Sequence, residues 1–303
     1  MKHVLVSGLA TVDMVFYMDE LPTSEKKYRA KKALITTGGN AANASIAISR
    51  LGGKATLITQ VGQDFFGNLI ITELAAEKVE TNRINQKENI STAYSSITID
   101  KKGARQIINY RTDNLDVSEM FLENQINYEA YLTDGRLKEI TLATLKEARK
   151  KNKPGILDAE APVCASAVKL ASHVAFSRQG LSDFCNTSSI FKGLKIVEDH
   201  SNNWICVTDG ERGVFFLDNG KLVQLKPPKT NVVDTLGAGD VWHGAFSLAL
   251  AYGKSIIEAI KFANIVASKK CQKYGSKSGA PYKDELSTYE YTLEMGPKTT
   301  WTS

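Results

Sequence analysis

The stretch Val232-Val233-Asp234-Thr235-Leu236-Gly237-Ala238-Gly239-Asp240 decides how this 303-residue chain is read. Its apolar start reads as a strand that stops at Asp234, and a Gly-Ala-Gly turn follows. A helix then begins, with Val241, Ala245, Leu248, Ala249 and Tyr252 recurring at i, i+4, i+7, i+8 and i+11 on one face. Such a junction aims consecutive backbone N–H groups and the positive end of a helix dipole at one point, which favours an anion. Glycine suits it because a side chain would block the close approach of a phosphate. A carboxylate in the same place, Asp240, repels an anion. It makes chemical sense as the group that takes a proton from an attacking hydroxyl, while the Gly237, Ala238 and Gly239 amides hold charge on a transferred phosphoryl group. The competing reading is an Asp that caps a tight turn. The run is not G-x-G-x-x-G, because Trp242 occupies the sixth position, and the chain has no Walker A run.

Outward from this junction, short apolar runs ending in small or polar residues recur at Val4–Ser7, Thr56–Val61, Ala130–Thr133, Ile156–Asp158, His173–Phe176 and Trp204–Thr208. Helical patterns fall between them, at Ala41–Leu51, Leu69–Glu77, Leu137–Lys151, Leu181–Phe191, Val241–Tyr252 and Ile256–Cys271. This alternation predicts an α/β protein, a mainly parallel sheet with helices on both faces. Residues 14–36 and 93–111 differ, having β period and no helix between. The second reads as a hairpin, Tyr94–Ile99 and Arg105–Tyr110, about a turn at Asp100-Lys101-Lys102-Gly103. Together they predict a small β-sheet lid on a body made of residues 1–13, 37–92 and 112–295, with 296–303 as a tail.

Composition removes several classes of function. With 43% hydrophobic and 23% charged residues the chain is not of disordered composition. Thirty-eight Lys+Arg against 33 Asp+Glu leave +5, spread along the length, so no nucleic-acid partner is expected. The densest basic run, Arg149-Lys150-Lys151-Asn152-Lys153, reads as a solvated helix end. Cys164, Cys185, Cys206 and Cys271 form no CxxC pair and sit among apolar residues, as reduced, buried thiols of a cytoplasmic protein would. His3, His173, His200 and His243 are scattered without HExxH, which argues against zinc. The apolar start is too short for a signal peptide, with Asp13 following at once. No apolar run approaches the roughly 20 residues of a membrane span, so no membrane partner is expected.

The seven residues Asp234–Asp240 resemble the Asp-Thr-x-Gly-Ala-Gly-Asp signature of the ribokinase-like (PfkB) carbohydrate kinases. Gly38-Gly39-Asn40-Ala41-Ala42-Asn43 is similar to the family's N-terminal Gly-Gly-Asn signature, and Val61-Gly62-Gln63-Asp64-Phe65-Phe66-Gly67 to its Gly-x-Asp-x-x-Gly loop. The resemblance implies a three-layer α/β/α body with a β lid, ATP as donor, a divalent ion such as Mg2+, and Asp240 as catalytic base. It also implies an anion hole at Gly237, Ala238 and Gly239. Thr208-Asp209-Gly210-Glu211-Arg212-Gly213 matches the family's Thr-x-Gly-x-x-Gly stretch, which puts Thr208, Gly210 and Gly213 beside the nucleotide phosphates. Asn264 and Ser268, one helical turn apart, fall where the family encloses adenine. Where many members carry Asn-x-x-Glu, this chain has Ser177-Arg178-Gln179-Gly180. Ser177 is then a further nucleotide contact, and the metal is held by water, Asp158 or Asp234, or Arg178 supplies charge near the phosphates.

At the acceptor end, Gly38 and Gly39 let a ligand touch backbone, Asn43 lies one turn into the next helix, and Asp13 follows the first strand. The resemblance makes Asp13, Gly38, Gly39 and Asn43 sugar contacts. Lys27 leads into the lid, Asn109 sits in the lid hairpin on the face of Ile107 and Arg111, and Arg136 follows a strand end. Two cations beside an acceptor suit a second anion on the sugar. Lys27, Asn109 and Arg136 together resemble the set of 6-deoxy-6-sulfofructose kinases, with fructose-6-phosphate and neutral ketohexose kinases as rivals. A lid sheet with a free edge suggests a homodimer through the lid.

Overall fold

A buried run of five residues, His3–Ser7 (β1), stands at the centre of the computed structural model, which describes residues 1–111 and 126–289. Residues 112–125 of the expected body, 290–295 and the expected tail 296–303 lie outside the described residues. The other strands are β2 (Thr11–Tyr17), β3 (Lys32–Gly38), β4 (Lys54–Gly62), β5 (Ile84–Lys87), β6 (Tyr94–Ile99), β7 (Arg105–Tyr110), β8 (Ala130–Thr133), β9 (Gly155–Ala159), β10 (His173–Ser177), β11 (Trp204–Thr208), β12 (Val214–Asp218) and β13 (Lys221–Leu225). The helices are α1 (Asn40–Arg50), α2 (Phe65–Ala76), α3 (Lys138–Lys150), α4 (Ala165–Leu170), α5 (Arg178–Cys185), α6 (Ile190–His200), α7 (Ala238–Ala251), α8 (Ile256–Lys270) and α9 (Ser276–Gly279).

One sheet has nine strands in the order β13-β12-β11-β10-β9-β8-β1-β4-β5. Its pairings are parallel except β11–β12 and β12–β13. Every residue of β1, β8 and β9 is buried, which explains why these strands show no alternation in sequence: helices cover both faces. From β1 the chain builds outward to β4 and β5, then returns to start the other half at β8. The order therefore reverses between β1 and β8, the place where open α/β sheets bind ligands beyond their carboxyl ends.

The second sheet runs β3-β2-β6-β7, with β2 antiparallel to β3 and parallel to β6. Val15, Ile97 and Ile99 on its inner face form a small core with Leu236, against which Tyr17 and Leu34 pack. Leu236 belongs to the turn before α7, so the small sheet rests on that turn. α1 and α7 meet closely because small residues line the contact: a Cβ on Gly244 would lie 2.6 Å from the Ala44 carbonyl oxygen.

The structure departs from the sequence expectations at several points. Val232–Asp234 is not a strand. Val232 and Val233 are exposed, and the amides of Val233 and Asp234 both donate to the Cys271 carbonyl, at 2.7 and 3.2 Å. α7 begins three residues before Val241, at Ala238. The helix expected at Leu181–Phe191 is two helices, α5 ending on Asn186 in the left-handed region and α6 starting on the Ser189 cap. α2 begins at Phe65, capped by Asp64. Asp13, expected just past the first strand, lies within β2. The β12–β13 hairpin, α4 and the short β5 carried no sequence signal that was read. All four cysteines are free, yet only Cys206 is fully buried. Among the described residues no helix is long and apolar enough to cross a membrane.

Candidate active site

Gly237 takes a left-handed conformation (φ 74°) and caps α7, which turns the chain into the helix and places Asp240 in its first turn. The Ala238 amide closes the turn onto the Thr235 carbonyl at 3.2 Å. The amides of Gly237, Gly239 and Asp240 donate to no protein acceptor among the described residues. A Cβ on Gly239 would meet nothing within 4 Å, so the space above these amides is open. Of the three amides expected to form the cradle, Gly237 and Gly239 are open and Ala238 is spent on the turn itself.

Asp240 stands beside the cradle and accepts from Asn43 Nδ2 at 2.7 Å. The close α1–α7 contact makes this bond, and it gives Asn43 a partner the sequence did not indicate. The Asn43 carbonyl oxygen is buried without a partner. Burial, then the charge of Glu160, push Asp240 up to about 7, with Asp13 and Asp134 adding to the effect and the Asn43 bond opposing it.

Around Asp240 the carboxyl ends of the central strands deliver further acids. Asp134, after β8, is buried and accepts from the Leu9 amide at 2.6 Å and the Arg136 amide at 3.0 Å. Asp158, in β9, is buried, with one oxygen unpartnered and 3.5 Å from His243 Nε2, which is itself unpartnered. His243 Nδ1 donates to the Gly239 carbonyl at 2.8 Å, so its lone pair faces Asp158. Burial, with Glu160, Asp240 and Asp134, holds the Asp158 carboxyl well above its ordinary range, and burial lowers His243 against the Gly239 bond and the charge of Glu160. Glu160 pairs with Arg136 Nη2 and accepts from Asn40 at 3.2 Å. Asp134 and Glu160 were missed in the sequence because single acids after strands carry no motif; only the sheet's topology gathers them.

The lid contributes one row of polar residues. Thr36, Asp13, Ser95 and Asn109 are register neighbours across β3, β2, β6 and β7. Thr11 donates to Asp13 at 3.1 Å, and Ser95 donates to the Asn109 carbonyl at 2.9 Å. Burial pushes Asp13 up to about 6, opposed by the Thr11 and Ser95 hydroxyls. A Cβ on Gly38 would fall 1.9 Å from an Asp13 carboxylate oxygen, and one on Gly39 (φ 91°) 2.5 Å from the Leu9 carbonyl. The glycine pair is thus required by Asp13 and by the β1–β2 turn. Arg136 also donates to the Ala161 carbonyl at 2.8 Å, and its Nε is buried without a partner. Arg111, just after β7, is disfavoured as a cation by burial and then by the neighbouring Arg136, while Asp134 and Glu160 favour its charge. Lys27 is exposed on the β2–β3 connection, and no hydrogen bond or ion pair joins it to Asn109 or Arg136 among the described residues.

At the opposite end, Ser177 and Thr208 are neighbours at the ends of β10 and β11. The Ser177 hydroxyl caps α5 by accepting from Gly180 at 2.9 Å. Gly210 and Gly213 both have positive φ, and a Cβ on Gly213 would lie 2.1 Å from the Leu225 carbonyl. Arg178 donates to Asp209 at 3.2 Å and to the Ser188 carbonyl at 2.7 Å. Both polar atoms of Asn264 are engaged: Trp242 Nε1 donates to it at 2.9 Å and it donates to the Leu225 carbonyl at 3.1 Å. Ser268 is buried, with the Pro228 carbonyl 3.5 Å away. Asp64 accepts from Gly67 at 2.7 Å and from the Thr92 amide at 2.8 Å, so its loop is architectural.

Among the described residues no three His, Cys, Asp or Glu side chains form a ready metal cage. The Asp234 carboxylate is occupied by Leu236 N (2.8 Å), Tyr17 OH (3.1 Å) and Gly275 N (2.9 Å). The unpartnered Asp158 oxygen beside Glu160 is where negative charge lacks compensation, and it fits a magnesium ion that takes one or two carboxylates and draws its other ligands from water and phosphate.

The chain is similar to known carbohydrate kinases. The family model described as pfkB family carbohydrate kinase matches residues 1–283. Ribokinase of Bacillus subtilis (strain 168) is 26% identical over 293 residues, covering 94% of this chain and 98% of its own. Ribokinase of Lactococcus lactis subsp. lactis (strain IL1403) is 27% identical over 313 residues, covering 97% and 99%. The solved structure of Arabidopsis thaliana ribokinase with ribose and ATP has the same fold, with a TM-score of 0.80 at 21% identity over 97% of this chain and 99% of that one.

Proposed function

The chain belongs to the pfkB family of carbohydrate kinases, and on that premise we propose that it moves the terminal phosphoryl group of ATP to the primary hydroxyl at carbon 1 of an anionic ketohexose, 6-deoxy-6-sulfofructose. It is a phosphotransferase with an alcohol acceptor. The observation that carries the anionic acceptor is the proximity of two guanidinium groups, Arg111 and Arg136, beside the lid row that ends in Asn109. The hydroxyls of a neutral sugar accept only uncharged hydrogen bonds there, whereas a sulfonate adds a negative charge and accepts in a forked geometry.

In this reading Asp13 accepts from sugar hydroxyls under the lid, and Asn43 holds Asp240 in line with the acceptor. Asp240 takes the proton of the attacking hydroxyl. The Gly237, Gly239 and Asp240 amides hold charge on the transferring group. The nucleotide lies along Ser177, Thr208, Gly210 and Gly213, with its base toward the Asn264–Ser268 face of α8. Asp158 and Glu160 would hold a magnesium ion, which would neutralise charge on the phosphates. The lid keeps water from the reacting atoms.

The rival acceptor is ribose, favoured by the relatives named ribokinase. The deciding experiment is ADP release measured with ribose, fructose, fructose 6-phosphate and 6-deoxy-6-sulfofructose. The sulfonate is expected to give the highest kcat/KM; a wide preference for ribose or fructose removes the anionic acceptor and leaves the kinase. The doubly charged phosphate tests whether the pocket tolerates the larger charge.

The same reading includes a homodimer. β7 is an edge strand with all six residues exposed, and Ile35, Ile108 and Tyr110 leave the outer lid face apolar. Solution scattering is expected to report a dimer; a monomer at assay concentration counts against it.

A further inference from the structure

Lysine is almost never fully buried unless it is paired, yet Lys270 has no exposed surface. It comes from the last turn of α8 and its Nζ donates to the Asp234 carbonyl oxygen at 2.8 Å. Asp234 is where the chain enters the turn that builds the cradle. Its carboxylate ties that entry to Leu236, to the lid through Tyr17 and to the α9 approach through Gly275. Room for the lysine is built in: a Cβ on Gly279 would lie 2.9 Å from Lys270 Cε. Burial disfavours this ammonium most. Asp234, Cys271 and Asp240 favour it and Arg105 opposes it.

A buried ion is a poor way to stabilise a fold, because an apolar side chain of similar volume usually does as well or better. The bond to Asp234 instead reaches the one turn whose position the chemistry needs. We propose that Lys270 is a positioning residue for phosphoryl transfer: its ammonium holds the Asp234 carbonyl, and through it the Leu236–Gly239 turn, while adding fixed positive charge behind the cradle. This rests on the reading of Asp240 and the cradle given above.

The test uses Lys270→Met and Lys270→Gln in the full chain, with thermal unfolding, kcat and KM for ATP and acceptor, and the pH dependence of kcat. The charged groups around Asp240 are Glu160, Asp13, Asp134 and Asp158 from the strand ends and lid, and Lys270 from α8. Arg136, paired with Glu160 and acting on Asp134 and Asp158, is a second cation on the strand-end side, with Arg111 beside it, and both are unchanged in these variants. Removing the Lys270 charge raises the Asp240 pKa, so the acid limb moves to higher pH. For Lys270→Met the expected result is an unchanged or higher Tm and a kcat lower by about 10²-fold, the scale of one lost oxyanion donor. KM is expected to stay nearly constant. Lys270→Gln, which keeps a donor without the charge, should show the shifted limb with a smaller loss. A wild-type kcat in Lys270→Met, an unmoved limb, or failure of both variants to fold would overturn the proposal, the last by assigning the ammonium to the core alone. Asp240→Asn separates the two readings: if it turns over normally, the underlying mechanism fails and not only the role of Lys270.

Discussion

Asp240→Asn is expected to lower kcat by about 10²–10⁴-fold, the usual contribution of a general base, with acceptor affinity by calorimetry close to wild type. The amide has the shape of the carboxylate and its carbonyl still accepts from Asn43, the 2.7 Å partner of Asp240. What it loses is the ability to receive a proton. The same residue sets the pH dependence. Burial, with Glu160, Asp13 and Asp134, pushes the carboxyl up to about 7. Below that value Asp240 is protonated and has no place for the acceptor's proton, and above it the base is ready. Wild-type kcat/KM should therefore rise with pH through about 7, and the variant should lack that limb. Near-native turnover, or a limb that survives the substitution, would remove Asp240 from the chemistry.

Arg136→Gln is expected to lower kcat/KM for the sulfonated sugar by the equivalent of about 2–5 kcal/mol, as truncation of one partner of a desolvated charge pair does. The argument must separate two jobs. Arg136 also pairs with Glu160, and its charge favours ionisation of Asp134 and Asp158. Its removal leaves Glu160 less compensated and disturbs every acceptor alike. Only the difference between the sulfonated sugar and fructose reports the second job. A fructose rate that falls by a much smaller factor supports direct contact with the anion. Equal losses for both sugars would make Arg136 a partner of Glu160 and nothing more.

The chemistry of the 232–240 stretch was legible because it depends on local covalent order: glycines, then an acid, then an apolar helical face. Its strand was not. Valines at 232 and 233 have high β propensity, but both are exposed, and the Val233 and Asp234 amides donate to the Cys271 carbonyl rather than to a strand. The parallel strands were readable as unbroken apolar runs because both faces are buried. The β12–β13 hairpin escaped that test, since β13 is an exposed edge with polar residues. Asp13, Asn43 and the glycine pair were placed near the acceptor by pattern. The reasons for their identities, Gly38 against Asp13 and Asn43 against Asp240, belong to packing between elements far apart in sequence. Asp134, Glu160 and Lys270 had no local signature. A strand-end acid or a lysine at a helix terminus is ordinary until the fold buries it.

Leu236 lies in the apolar core of the small sheet, and Tyr17 of that sheet holds the carboxylate of Asp234 at 3.1 Å. The cover and the phosphate grip therefore share parts. Any outward swing of the sheet must expose Leu236 and break the Tyr17 bond, leaving Asp234 held by Leu236 N and Gly275 N alone. An enzyme without a guest to keep its roof down is then also one whose grip on the nucleotide's end is slack. If the sheet lifts in that way when no acceptor is bound, ATP hydrolysis without acceptor is expected to be slow.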